Sequence, residues 1–184
     1  MVKIIKFPSR RDHHSIFEEL VRPHIEPLYK LAYRFTNNVM EAEDLVQDLL
    51  TKLYPRYQEM EKVEKLRPWL ARVMYRMWID RLRDRKRSSI ELADNLTEFE
   101  SNIEAVTSDS TPEQEHERAI NQQTLQQALD QLSEDHRIVL ILHDVEGYSL
   151  EEMKTVLDCA IGTLKSRLHR ARINLRNLLD NGTF

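Results

Sequence analysis

"SLEEMKTVLDCAIGTLKSRLHRARINL", from Ser149 to Leu175, decides the fold of the second half of this chain. Ser149 and Glu152 form the S-x-x-E pattern of a capping box, which predicts a short helix beginning at Leu150. The tripeptide "DCA" then interrupts the helical pattern, and a longer basic helix follows from Ile161. A short capped helix, a brief turn and a longer basic helix together are the signature of a helix-turn-helix.

The basic helix has an apolar and a cationic side when successive residues are turned by about 100°. Its apolar arc, which should face the core, consists of Ile161, Leu164, Leu168, Ala171, Leu175 and Leu178. On the opposite side lie Gly162, Ser166, His169 and Arg170, with Lys165, Arg172 and Arg176 on one flank and Arg167 on the other. This layout is typical of a helix in the major groove of DNA, where central side chains read bases and flanking cations contact phosphates. The alternative is a solvated, arginine-rich face.

The composition limits the class of protein. Among 184 residues there are only three Gly and six Pro, and 32% of the residues are charged, which favours an all-helical, soluble protein. The single Cys159 can form no internal disulfide, and no apolar run approaches the ~18 residues of a membrane span. Because the N-terminal apolar run is also too short for a signal peptide, the sequence predicts a cytoplasmic protein without membrane insertion.

Charge is unevenly distributed along the chain, although the formal net charge is only −4. From Pro68 to Ser88, seven Lys and Arg against two Asp give +5, and from Cys159 to Leu179 five Lys and Arg with no acidic residue give +5. Between them, from Ser89 to Glu117, nine acidic residues with no Lys or Arg give −9. Two basic segments therefore flank an acidic one, whereas a uniformly solvated surface would mix the signs.

The predicted fold class is all-α, with two small helical domains joined by an acidic linker. Residues 1–14 are predicted to be an N-terminal tail and residues 15–88 the first helical domain. Residues 89–112 lack helical periodicity and are rich in acidic residues, Ser and Thr, which predicts an extended or mobile linker. Residues 113–184 should form the second domain, which contains the helix-turn-helix.

In the first domain, Pro23 and Pro27 should bend or divide the first helix. A second helix should end at Pro55, and residues 56–67 read as a polar connector. Pro68 suits the first turn of the long basic helix that follows.

Two surfaces of the first domain are candidate binding sites. On the long basic helix, one narrow arc contains Trp69, Arg72, Arg76, Asp80 and Arg83. Such an arc can track a nucleic-acid backbone and stack unpaired bases, although tryptophans such as Trp69 and Trp78 more often belong to the core than to a base-stacking surface. On the helix before it, the side opposite the apolar arc contains Asp44, Gln47, Asp48 and Thr51. That acidic face is either solvated or docks a basic protein surface.

Two other classes of protein fit the sequence less well. A helix-turn-helix regulator that binds operators as a dimer would account for residues 133–178, but it leaves the first domain and the linker unexplained. An enzyme is disfavoured because the seven His are scattered and no HExxH, CxxC, P-loop or nucleophile motif occurs. The sequence therefore predicts no catalytic residue, no cofactor and no metal site.

Taken together, these segments resemble the sigma-70 family of bacterial RNA polymerase specificity factors, and within it the small extracytoplasmic-function (ECF) group that keeps only regions 2 and 4. "AEDLVQDLLTKLY" is similar to region 2.2, and "WLARVMYRMWIDRLRDRKR" to regions 2.3–2.4. "LSEDHRIVLILHDVEGYSLEEM", followed by "DCAIGTLKSRLHRAR", is similar to region 4. The resemblance covers about residues 15–88 and 115–180.

The resemblance implies a sigma factor that binds core RNA polymerase and recognises −10 and −35 promoter elements. Contacts with the clamp helices of the β′ subunit would come from Asp44, Gln47 and Asp48. Contacts with the −10 element would come from Trp69, Arg72, Arg76, Asp80 and Arg83. Contacts with the −35 element would come from Lys165, Ser166, Arg167, His169, Arg170 and Arg172. The second domain would also bind the β flap, an anti-sigma factor would hold the free protein inactive, and the chain would be a monomer in the holoenzyme.

The sequence departs from the family pattern at three places. Arg76 stands where the family usually has Asn, so the −10 contact there should differ. Met153 and Lys154 replace the usual Ile-Ala of the first helix in the helix-turn-helix. His169 occupies a base-facing position that varies in the family, so the −35 sequence does not follow from it.

Overall fold

The computed structural model describes residues 10–91, 124–125 and 127–181. Every secondary-structure element in these ranges is helical, which confirms the predicted all-α class. Of the acidic linker predicted at residues 89–112, residues 89–91 are helical, contrary to the prediction, and residues 92–112 lie outside the described residues. Most of the helix predicted between residue 113 and residue 132 also lies outside them.

The chain divides into two compact units, Met1–Asn95 and Leu96–Phe184, which are named here the N-terminal unit and the C-terminal unit. The described helices of the N-terminal unit are α1 (Arg10–Thr36), α2 (Val39–Leu53), α3 (Tyr57–Met60) and α4 (Leu66–Glu91), with a 3-10 turn at Tyr54–Arg56. The described helices of the C-terminal unit are α5 (Glu134–Leu140), α6 (Leu150–Leu157) and α7 (Ile161–Asn181), with a π-helical turn at Ile141–Val145 and helical residues at 124–125 and 127–130.

The junction between α1 and α2 is the break that "TNN" predicts. Asn37 adopts a left-handed φ of 52°, and the side chain of Asn38 accepts a hydrogen bond from the backbone N–H of Glu41 at 3.0 Å. This N-cap satisfies a backbone donor that would otherwise have no partner in the first turn of α2.

Helices α1, α2 and α4 pack against one another around an apolar core. Leu31, Leu45 and Met74, one from each helix, are at most 1% exposed. Trp78 is 2% exposed and stacks on Phe35, with ring centroids 4.9 Å apart. Trp78 is therefore a core residue, and its burial fixes which side of α4 faces outward.

Three details of the N-terminal unit differ from the sequence prediction. Pro23 and Pro27 do not divide α1, which continues through both, because buried residues such as Leu28 hold it against the core. Helix α1 already begins at Arg10, so residues 10–14 of the predicted tail are helical. The polar connector contains α3, which buries Tyr57 and Met60.

In the C-terminal unit, the apolar run "IVLIL" is buried, with each of its side chains at most 3% exposed. Its helix does not continue as a regular α-helix but passes into the π-helical turn, and Gly147 then adopts the left-handed φ of 69° expected of a helix-ending glycine. Ser133 occupies the N-cap position of α5, but its side chain makes no capping hydrogen bond.

Candidate nucleic-acid interface

The helix-turn-helix consists of α6, a three-residue turn over residues 158–160, and α7. The hydroxyl of Ser149 accepts a hydrogen bond from the backbone N–H of Glu152 at 3.3 Å, and the Glu152 carboxylate accepts one from the backbone N–H of Ser149 at 2.9 Å. These two bonds confirm the predicted capping box. In the turn, Asp158 adopts a left-handed φ of 55°, which sets the direction in which α7 leaves α6.

Burial fixes the rotation of α7 about its own axis. Leu164 and Ala171 are fully buried and Leu168 is 5% exposed, so the middle of the predicted apolar arc faces the core. Helices α5 and α6 both pack on α7, and the buried side chain of Met153 contributes to the core beneath it, while Lys154 is exposed. The outward side is therefore decided by packing.

The residues predicted to face outward on α7 do so. Exposed side chains on this helix include Lys165, Ser166, His169, Arg170 and Ile173. The Ser166 hydroxyl donates to the backbone carbonyl of Thr163 at 2.9 Å, a local bond that a DNA acceptor can replace. Lys165, His169 and Arg170 form no ion pair among the described residues. Their charged or polar ends are thus available to a ligand.

Two of the three flanking arginines of α7, Arg172 and Arg167, are paired within the unit. The guanidinium of Arg172 donates two hydrogen bonds to the carboxylate of Asp144, at 2.9 and 2.6 Å. On the other flank, Arg167 forms an ion pair with Asp135 at 3.0 Å. The sequence assigns both arginines to DNA contacts, and it gives no reason to expect these carboxylate partners.

The pair between Arg172 and Asp144 is strong enough to shift both acid–base equilibria. The pKa of Asp144 is lowered, mainly because its carboxylate accepts hydrogen bonds from Arg172. Partial burial opposes this shift, and the neighbouring His143, whose Nδ1 lies 2.7 Å from an Asp144 oxygen, reinforces it. The same bond raises the pKa of Arg172. The cluster fixes the Arg172 guanidinium beside the outward face of α7.

The outward arc of α4 is largely as the sequence predicts. Arg76, Asp80 and Arg83 are exposed, whereas Trp69 and Arg72 are partly buried at its start. Asp80 and Arg83 lie 3.6 Å apart on successive turns of the helix. Trp69 therefore keeps part of its ring surface exposed beside the arginines, as a base-stacking side chain would require.

The acidic face of α2 is exposed but not uniform. Asp44, Gln47 and Thr51 are exposed, and Asp44 forms no ion pair among the described residues. Asp48 is also exposed, yet its carboxylate is bound by the guanidinium of Arg81 from α4. Thus the predicted acidic patch includes one residue that is connected to the basic helix.

A second contact of the same kind joins Arg85 to Glu41, at 2.7 Å. Nothing in the sequence analysis distinguishes Arg81 and Arg85, which pair with α2, from the other arginines of α4. One signal was present: Arg81 is nine residues after Arg72, which at about 100° per residue puts it on the opposite side of the helix. Its partner could not be identified, because Asp48 is 33 residues away in the chain.

None of the described helices is both long and apolar enough to span a membrane. No three or more His, Cys, Asp or Glu in that part of the chain are grouped in a way that could hold a metal ion.

Family models match both units of the chain. The model of sigma-70 region 2 matches residues 20–88, and the model of sigma-70 region 4 matches residues 122–175. The first match contains α2, α4 as far as residue 88 and the residues of their outward faces, and the second contains α6, the turn and α7 as far as residue 175.

Individual proteins similar to this chain are sigma factors. The ECF RNA polymerase sigma factor SigE of Mycolicibacterium smegmatis is 35% identical over 163 residues, which are 89% of this chain and 61% of that protein. The ECF RNA polymerase sigma factor SigW of Bacillus subtilis is 29% identical over 182 residues, 96% of this chain and 95% of that protein. Among solved structures, the sigma factor RpoE of Bartonella quintana, in complex with the anti-sigma factor NepR, matches with a TM-score of 0.73 and 28% identity, over 89% of this chain and 96% of that one.

Proposed function

This chain belongs to the sigma-70 family of RNA polymerase sigma factors, in its ECF group, and we therefore propose that it directs core RNA polymerase to promoters and starts transcription there. The observation that carries the proposal is the outward side of α7, on which Ser166, His169 and Arg170 are exposed. This helix follows a capped α6 and a three-residue turn. A helix presented in this way fits the major groove.

The proposed readers of bases in the −35 element are Arg170, His169 and Ser166. An exposed arginine can pair with guanine through two parallel hydrogen bonds, and a hydroxyl can bond to several bases. Lys165 supplies a phosphate contact. Arg167 and Arg172 can still contact phosphates, because a guanidinium has five N–H donors and a carboxylate engages at most two or three of them.

The proposed surface that contacts the −10 element is the outward arc of α4. Arg76 and Arg83 are exposed cations that can follow the backbone, with Asp80 between them. Trp69, partly exposed, and Arg72 lie at the start of the arc, where an unpaired base could stack. The connector at residues 56–67 would complete this site.

Core RNA polymerase is the proposed protein partner. The acidic face of α2, with Asp44, Gln47 and Asp48, suits a basic surface, and the clamp helices of β′ are the proposed site, with the β flap as the partner of the C-terminal unit. Since RpoE of Bartonella quintana was solved with an anti-sigma factor, such a protein is a proposed regulator here as well. The proposed factor acts in the cytoplasm, as a monomer in the holoenzyme, and supplies no catalytic residue, cofactor or metal.

The proposal is tested by transcription in vitro with purified core polymerase on a library of genomic fragments. We expect transcripts that start at discrete sites sharing −10 and −35 motifs only when this protein is added. A stable homodimer bound to a palindrome, with no promoter-specific starts, would instead favour the helix-turn-helix regulator.

The polymerase face is tested by Asp44→Arg. Because Asp44 is exposed, reversing its charge should leave folding intact while opposing a basic partner, and polymerase affinity should fall by about tenfold or more. Glu19→Arg, an exposed charge reversal on α1, is the matched control and should bind as the wild type does. Equal affinity of Asp44→Arg and the control, measured by titration with labelled core enzyme, would contradict the proposed docking face.

A further inference from the structure

The ion pair between Asp48 and Arg81 joins the two proposed binding surfaces of the N-terminal unit. Asp48 lies on α2 and Arg81 on α4, and the contact is made by the Asp48 Oδ2 atom and a terminal nitrogen of the guanidinium. The two side chains differ in exposure, since 63% of Asp48 but only 28% of Arg81 is accessible. The carboxylate is therefore presented outward while the cation lies behind it.

This difference in exposure matters for binding. A carboxylate that is already held in one orientation loses less conformational freedom when a partner docks, so preorganisation increases affinity. Arg81 holds one oxygen of Asp48, and most of the side chain stays accessible on the acidic face beside Gln47. Because Arg81 is on the side of α4 opposite Arg72, it is poorly placed to bind the DNA that the outward arc would bind.

We propose that Arg81 is a positioning residue for polymerase docking, which holds the Asp48 carboxylate in the orientation that the polymerase binds. The inference rests on the proposed function and adds a residue of the basic helix to the polymerase-binding machinery. It distinguishes two groups of arginines on α4 with different tasks, those of the outward arc and those paired with α2.

The neighbouring pair of Arg85 and Glu41 provides an internal control. It joins the same two helices at 2.7 Å, but its acidic member is only 24% exposed, compared with 63% for Asp48. Loss of Arg85 should therefore remove a similar contact between α2 and α4 without disturbing an exposed carboxylate of the docking face.

The test is a double-mutant cycle on the affinity of the full-length protein for core polymerase, measured without DNA. Arg81→Ala should weaken binding by about fivefold and Asp48→Ala by at least as much, and the double variant should be no weaker than Asp48→Ala, because Arg81 acts through Asp48. Arg81→Lys should recover part of the loss, since it restores a positive charge. Arg85→Ala should change affinity by less than about twofold. Thermal unfolding of each variant separates loss of fold from loss of orientation.

Four results would overturn the inference. If the effects of Arg81→Ala and Asp48→Ala multiply, Arg81 does not act through Asp48. If Arg85→Ala weakens binding as much as Arg81→Ala, the cause is general loosening of the contact between α2 and α4. If Asp48→Ala weakens binding and Arg81→Ala does not, Asp48 needs no positioning and the proposed function stands. Unchanged binding of Asp48→Ala together with Asp44→Arg would refute the proposed polymerase face and this inference with it.

Discussion

Helices α4 and α7 are both long and basic, and each carries the candidate nucleic-acid surface of its own unit. Their paired arginines differ in the elements that supply the carboxylate partners. On α7, Arg167 and Arg172 bind Asp135 and Asp144, which lie in the elements that support the same helix. On α4, Arg81 and Arg85 bind Asp48 and Glu41 of α2, the helix that carries the proposed polymerase face. The paired arginines therefore lie beside the proposed DNA-reading face in one unit and join the two proposed binding surfaces in the other.

The comparison shows that the number of cations in a segment does not give the number of DNA contacts. Both segments have a charge of +5, but in each of them two arginines are already neutralised by carboxylates from another part of the fold. Exposed ion pairs contribute little to stability, typically less than about 1 kcal/mol, so their main effect is on the orientation of the side chains. The outward residues, such as Arg83 and Arg170, remain the better candidates for contacts with nucleic acid.

The largest effect is expected from Leu164→Ala, which removes a fully buried side chain under α7. Its loss should lower the free energy of unfolding of the C-terminal unit by about 3 kcal/mol, through the lost burial and the cavity left behind. Binding to −35 DNA should fall with it, whereas binding of the polymerase through α2 should be retained. Leu179→Ala, at a position 39% exposed on the same helix, is the control and should be nearly neutral in calorimetric unfolding. Equal destabilisation by both would mean that the apolar arc is wrongly assigned.

A smaller effect, a loss of DNA affinity, is expected from substitution of the outward Arg170 or the paired Arg172 of α7. Arg170→Ala should weaken binding to a cognate −35 fragment by about tenfold or more and spare a scrambled fragment, because a base contact is lost. Arg172→Ala should cause a smaller loss that is the same for both fragments and should flatten the dependence of affinity on salt. Fluorescence anisotropy titrations at several salt concentrations measure both. A larger and sequence-specific loss for Arg172→Ala would reverse the assignment of the two arginines.

The smallest effect is expected from Asp144→Asn and depends on pH. Because the Arg172 hydrogen bonds lower the pKa of Asp144, the ionised carboxylate stabilises the folded state above the unfolded pKa of about 3.9. That stabilisation is lost as the pH falls through the lower, folded pKa. The wild type should therefore be more stable than the variant at pH 7, by less than about 1 kcal/mol for this partly exposed pair, and the difference should vanish in strong acid. A difference in chemical denaturation that is independent of pH would show that the charge of Asp144 is not responsible.

Local sequence patterns predicted those parts of the fold that depend on neighbouring residues. The capping box of Ser149 and Glu152 and the apolar arc around Leu164 follow from spacing and from backbone geometry, and the structure confirms them. Local propensity predicts that Pro23 and Pro27 bend or divide the first helix. The structure shows no division, because packing of α1 against the core outweighs that propensity. The buried Tyr57 in the connector was missed since one short turn has too few residues to show a period.

The sequence by itself predicted the two helical units, the family and the outward sides of α4 and α7, which packing then fixed, because helical periodicity and motif spacing are local properties of the chain. Only the tertiary structure decided which cations are exposed and which are paired. Arg81 meets Asp48 across 33 residues, and Arg172 meets Asp144 across 28, so no local pattern can reveal either contact. Side chains distant in sequence come into contact only where packing of the apolar cores brings their helices together. These contacts distinguish the paired cations from outward ones such as Arg170.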